Sequence, residues 1–195
     1  AAIGMALLIY FLLDGFASIS LGLAMRPMNG WLATLLSGVA STLLGIIFLL
    51  DVIVAGALHV VFESVSRHVS LVAAWFRLVY TVFLGVALIF LFVALQLLSG
   101  DDYLTAFDPG QVDAHVLLAV DAFNYAWLVG LVCFGVHLIL LGYLAIRSGW
   151  TAKALGYVLM VAGAAYIIDT LARAMIADYA DVENLFLAIV AIPSV

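Results

Sequence analysis

Residues 71–98 read LVAAWFRLVYTVFLGVALIFLFVALQLL, and Arg77 is their one charged side chain. A helix that crosses a bilayer needs about 20 mostly apolar residues, and this run exceeds that. Its apolar residues are continuous and do not alternate with polar ones, as the strands of a membrane barrel do. Only helices and closed barrels satisfy their backbone in lipid, so the stretch is predicted to be a spanning helix. Comparable runs lie on both sides of it. One extends from about Ala2 to Met25 and closes at Arg26-Pro27. Another, Trp31 to Phe62, is broken only by Asp51 and His59. Further runs lie within His115 to Ile146 and from Ala154 to Ile176. A last one starts at Leu185 and reaches about half the needed length by Val195. The predicted fold is all-α: a polytopic transmembrane helical bundle of about five to six spans, the last one truncated.

Composition agrees. Of 195 residues, 68% are hydrophobic and 9% charged, whereas soluble domains are about half apolar and a quarter charged. Six Lys and Arg against a net charge of -6 exclude a nucleic-acid footprint. A single cysteine, Cys133, excludes an internal disulfide. The chain opens Ala1-Ala2-Ile3-Gly4, without Met or a basic leader, and its first apolar run is longer than that of a signal peptide. It therefore reads as a true span, with a segment expected before it.

Basic residues mark cytoplasmic loops. Arg67 on one side of the 71–98 run, and Arg147 with Lys153 after the following span, place both of those loops inside. Stretches 99–114 and 177–184 lack Lys and Arg and are expected outside. Trp75 and Trp150 sit near the inner boundaries. The first third breaks this alternation. Arg26 and Arg67 both read as cytoplasmic, yet the 32 apolar residues between Trp31 and Phe62 reach about 48 Å as a helix. That is long for one span and short for two. An irregularity is therefore expected at about 46–54: a break, a kink or a helix far longer than its neighbours.

Two resemblances divide the chain near the same place. Residues 8–50, with LLDG, R-P-x-x-G-W and LLSG followed by a small-residue helix, resemble the HdeD-like acid-resistance membrane proteins. From Asp51 onward the chain resembles the bacterial membrane family catalogued as domain of unknown function 4386, through SLVAAWFRLVY (70–80), LLSGDDYLTAF (97–107), VHLILLGYLAIRSG (136–149) and LGYVLMVAGAAYIID (155–169). The organisation these imply is an HdeD-like helical hairpin over 1–50 and a bundle of the second kind over 51–195, with a discontinuity or fusion junction near 50. The first resemblance implies a link to acid stress. The second implies no activity.

Ionisable side chains inside a membrane are costly and are functional candidates by default. Asp14 shares a face with Ser18 and Gly22; it is either a proton or ligand site or a hydrogen-bonded carboxyl on a small-residue face. Asp51 and His59 are about 80° apart on a helix, with Glu63 a turn beyond. They line a polar groove or pack on a polar neighbour. Asp121 and Asn124 lie toward the outer end of their helix. Asp14, Asp51 and Asp121 are all expected to face protein or a water-filled cavity, not lipid. His137 shares a face with Gly130 and Cys133. No spacing for metal or haem ligands accompanies it, so a hydrogen-bonded structural histidine is the preferred reading over a haem ligand. Asp169 and Arg173, at i and i+4, read as an intrahelical ion pair, with an anion site on Arg173 as the alternative. Ser37, Gly38, Ser41, Thr42 and Gly45 form a close-packing face that suits the protein's own bundle, a partner helix or a second copy.

No catalytic residue and no metal site is assigned: nucleophile elbow, zinc and phosphate-loop motifs are all missing. The balance is against an enzyme, and no cofactor is indicated. The leading reading is a non-enzymatic structural, stress-related or accessory component of the bacterial cytoplasmic (inner) membrane. The alternative is a small transporter or proton-coupled binding protein using its buried Asp and His.

Overall fold

The structure is a computed structural model that describes residues 2–26, 31–98 and 106–175. Four helices account for nearly all of them: α1 (Ala2–Ala24), α2 (Trp31–Leu98), α3 (Pro109–Ser148) and α4 (Lys153–Met175). No strand occurs among the described residues. Three helices are long and apolar enough to cross a membrane, over Ser37–Leu98, Pro109–Ser148 and Lys153–Met175; a shorter apolar stretch, Ile9–Ala24, lies in α1. The run from Leu185 lies outside the described residues.

α2 holds 68 residues, against 40 in α3 and 23 in each of the other two. It is helical throughout 46–54, where an irregularity was expected; its length comes from two helices running on across a kink further along. Its backbone departs from helix at Ser66 (φ -163°, ψ 105°). That residue sits in the polar patch Glu63–His68, where serine hydroxyls compete for backbone groups. The bend divides α2 into a first arm, 31–65, and a second arm, 67–98.

The chain forms two compact units, Ala1–Ala57 and Leu58–Val195. In the first, α1 and the start of α2 are antiparallel and very close. A Cβ on Gly38 would lie 2.6 Å from the Ile19 backbone nitrogen, and one on Gly15 2.7 Å from that of Thr42. Phe11 stacks on Phe48 at 5.7 Å between ring centres.

In the second unit α3 and α4 pair through two glycine contacts, each seven residues from the next on both helices. Cβ atoms on Gly135 and Gly163 would fall 2.6 and 2.4 Å from each other's carbonyl oxygens, and on Gly142 and Gly156 2.5 and 2.7 Å. The turn between these helices is centred on Gly149, whose φ of 75° closes α3 in the left-handed conformation. α3 starts at Asp108-Pro109, with the Asp108 amide donating to Gln111 Oε1 at 3.1 Å.

The core of this unit is built largely from small residues: Ala73, Ala74, Ala87, Ala94, Ala119, Ala145 and Ala165 are all buried. Large apolar side chains lie outside instead, among them Val60 at 65%, Leu117 at 66% and Val161 at 53% exposure. Small residues at helix contacts and bulky apolar ones outward is the pattern of helices in lipid. In water the same surface would be a broad aggregation-prone patch.

Within this unit the second arm runs antiparallel to α3, since Ala73 meets His137 and Tyr80 meets Gly130. Phe62 stacks on Trp150 at 5.3 Å. The ends bearing Arg67, Arg147 and Lys153 therefore lie together, as the distribution of basic residues predicts.

Candidate functional site

The polar residues of the first unit meet across its hairpin. Asp14, half-buried on α1, accepts a hydrogen bond from Ser41 Oγ on α2 at 2.8 Å. Ser41 is fully buried, because neighbouring Gly15, Gly38 and Gly45 let the two backbones approach. Gly38, Ser41, Thr42 and Gly45, read from sequence as a close-packing face, are turned toward α1. Asp51 is half-buried further along the first arm. It falls in a different unit from His59, with which it was paired in the sequence reading.

In the second unit, His59 Nδ1 lies 2.9 Å from Ser70 Oγ, and its Nε2 lies 4.0 Å from Glu63 Oε2. Ser70 in turn donates to the Arg67 carbonyl at 3.1 Å. Deeper in the bundle, His137 is buried, with Nδ1 2.9 Å from the Ala73 carbonyl. A carbonyl oxygen only accepts, so this ring nitrogen carries the hydrogen. The ring lies about 16 Å from the Ser148 end of α3, near mid-membrane.

Phe134 gathers an aromatic cluster beside His137. Its ring lies 4.8 Å from Tyr80, 5.8 Å from Tyr166 and 5.9 Å from His137, and the Arg77 guanidinium sits over it at 5.9 Å. Arg77 carried no functional expectation from the sequence. Packing turns it inward at the level of Phe134, against a ring whose face attracts a cation. The signal was present as the single charge in the 71–98 run.

Asp169 and Arg173 form the i, i+4 ion pair that their spacing predicts, with Nε 3.1 Å from Oδ2. Asp121 and Asn124 are both exposed on α3. Asp121 lies about 40 Å from the Ser148 end of α3, and the hydrocarbon is about 30 Å thick. That distance agrees with the expected place of Asp121 toward the outer end of its helix. Among the described residues no three His, Cys, Asp or Glu side chains gather as metal ligands.

The long apolar helices, small-residue core and lipid-facing bulk define a helical membrane protein. The family described as domain of unknown function (DUF4386) matches residues 2–195, and the chain belongs to that family. The match takes in 8–50, so the HdeD-like resemblance of that stretch gains no support. An uncharacterized protein of Archaeoglobus fulgidus is 34% identical over 128 residues, covering 66% of this chain and 63% of the relative. The chain thus matches less than two thirds of that relative's length. No solved structure matches the chain.

Proposed function

We infer that the protein is a non-enzymatic structural or accessory component of a cytoplasmic membrane, whose intramembrane polar groups join helices to one another and do not handle a substrate. α1, the two arms of α2, α3 and α4 would make five spans, and the run from Leu185 a sixth. The observation that carries this reading is the Asp14–Ser41 hydrogen bond at 2.8 Å: a half-buried acid of the first unit is held by a hydroxyl of the facing helix. His137 with Ala73, and Asp169 with Arg173, follow the same rule of local pairing. A partner helix or second copy using the face of Ser37, Gly38, Ser41, Thr42 and Gly45 would have to displace α1.

The competing reading, a small proton-coupled transporter, draws on Asp14, Asp51, His59 and Asp121. The test is proton flux in proteoliposomes carrying a pH-sensitive dye. A rate equal to that of empty vesicles, at either sign of membrane potential, is expected. A flux that Asp14→Asn or Asp51→Asn abolishes would overturn the structural reading in favour of transport.

A further inference from the structure

The outer face of the second arm holds a groove of about 380 Å³ lined by Leu71, Val72, Trp75, Phe76 and Val79. At about 100° per residue these side chains share one side of the helix, opposite Ser70, Ala73, Ala74 and Thr81, which are buried. All but Phe76 are exposed. The walls are apolar, so the groove suits hydrocarbon and offers nothing to a polar solute.

Past the groove the same stripe runs into charge. One turn before Val72 stands His68, with Arg67 beside it, and both are exposed. Phe62 stacked on Trp150 brings the α3–α4 turn to this end, and Arg147 and Lys153 are exposed there. Glu63 adds one carboxylate, with Oε2 4.0 Å from His59 Nε2, and the balance stays positive. The far end of α3 has the opposite sign, with Asp108 and Asp113 exposed.

Depth selects the occupant. Val79 follows His68 by 11 residues, about 16 Å along the axis, or half of a hydrocarbon layer about 30 Å thick. A groove one leaflet deep, with cations at its head, fits a lipid chain below its phosphate. A partner helix that crossed both leaflets would need neither the cations nor an end at Val79.

We propose that this groove binds one anionic phospholipid, with its phosphate at Arg67 and His68 and an acyl chain along Leu71, Val72, Trp75 and Val79. The Arg67 guanidinium forks onto phosphate oxygens, and the exposed Trp75 ring packs on the chain about 10 Å below His68. The site holds whether or not the bundle also moves protons.

The test uses the full chain in nanodiscs of phosphatidylcholine with varied phosphatidylglycerol. One lipid at a time carries bromine on its acyl chains, and the tryptophan quenching that Trp75→Phe removes is the share of Trp75. Brominated phosphatidylglycerol should occupy the groove about five- to tenfold more readily than brominated phosphatidylcholine, since each basic residue near an anionic headgroup contributes about fivefold. Arg67→Gln combined with His68→Gln should bring that ratio to within about twofold of one. Both residues are exposed, so the double change leaves the packing intact. Arg147→Gln should keep most of the preference, because that guanidinium is held by Tyr143 Oη at 2.6 Å. Equal quenching by the two lipids in the wild type, or as large a loss in Arg147→Gln as in the double variant, would overturn the site. So would a Trp75 quenched by neither lipid, which would mean that a second copy or another helix covers the face.

Discussion

His137 and Ala73 are joined across 64 positions of chain, ring Nδ1 to backbone carbonyl at 2.9 Å. The bond fixes the second arm of α2 against α3 and sets the level at which Arg77 meets Phe134. It is an interhelical polar tie in a bundle whose buried residues are largely small and apolar. Such ties contribute about 0.6 kcal/mol on average in membranes, so the ring's packing should matter more than its hydrogen bond. His137→Ala is expected to lose about 2–4 kcal/mol through the cavity it leaves. His137→Phe, which keeps most of the volume, should lose about 1 kcal/mol. Reversible unfolding in mixed micelles measures both. Wild-type stability in His137→Ala would show that the ring does not fill this core.

Glycine positions divide into two groups with opposite expected outcomes. A Cβ on Gly142 would meet the Gly156 carbonyl oxygen at 2.5 Å, and this neighbour is backbone that cannot swing aside. Gly142→Ala should force α3 and α4 apart at a cost of about 1–3 kcal/mol. Gly56 has nothing within 4 Å of such a Cβ. Gly56→Ala should be neutral or gain up to about 1 kcal/mol from helix propensity. Equal effects at the two sites, in the same unfolding assay, would contradict the glycine pairing.

How much of this was legible in the sequence depended on the range of each interaction. The spans followed from lipid's demand for unbroken apolar length, and the Asp169–Arg173 pair from helical spacing alone. Asp14 was visible as a buried acid, but its partner Ser41 lies 27 positions away, and only the packing of the hairpin brings them together. The patch Glu63–His68 read as a loop, whereas a single extended residue, Ser66, makes the bend and the flanking residues stay helical. Asp121 was legible as lying toward the outer end of its helix, and it is exposed about 40 Å from the Ser148 end of the 40-residue α3. Gly135, Gly142, Gly156 and Gly163 carried a readable signal, seven-residue spacing on both sides of a turn, which went unused.

The shared end of the second unit predicts sidedness. With Cys133 replaced by Ala, single cysteines at His68 and Lys153 should react with a membrane-impermeant maleimide from the same side. A cysteine at Asp113 should react from the opposite side. Phe62 stacked on Trp150 carries the first expectation, because it holds the bend of α2 and the α3–α4 turn at one end. Labelling of His68 and Lys153 positions from opposite sides would break the antiparallel arrangement of the bundle.

The last prediction concerns Asp14 and Ser41, and a double-mutant cycle isolates their interaction. The hydroxyl is fully buried and the carboxyl half-buried, with 2.8 Å between Oγ and Oδ2. Removing the hydroxyl by Ser41→Ala leaves the carboxyl facing an apolar methyl, while Asp14→Ala leaves the hydroxyl with the backbone of its own helix as its alternative acceptor. The acid should therefore suffer more from losing its partner than the hydroxyl does. Ser41→Ala is expected to destabilise the chain by about 1–2 kcal/mol, since an acceptor is left without its donor. Asp14→Ala should cost less, because it also removes a polar group from an apolar setting. The coupling between the two should be about 0.5–1.5 kcal/mol, in the range of interhelical bonds in membranes. Asp14→Asn offers a further check. Its amide oxygen still accepts from Ser41, so it should retain most of the coupling and most of the stability. Steric unfolding or micelle denaturation supplies the four corners of the cycle. A coupling indistinguishable from zero would mean that Asp14 is held by the closeness of α1 and α2 and not by Ser41. The pairing rule on which the structural reading rests would then fail at the contact that carries it.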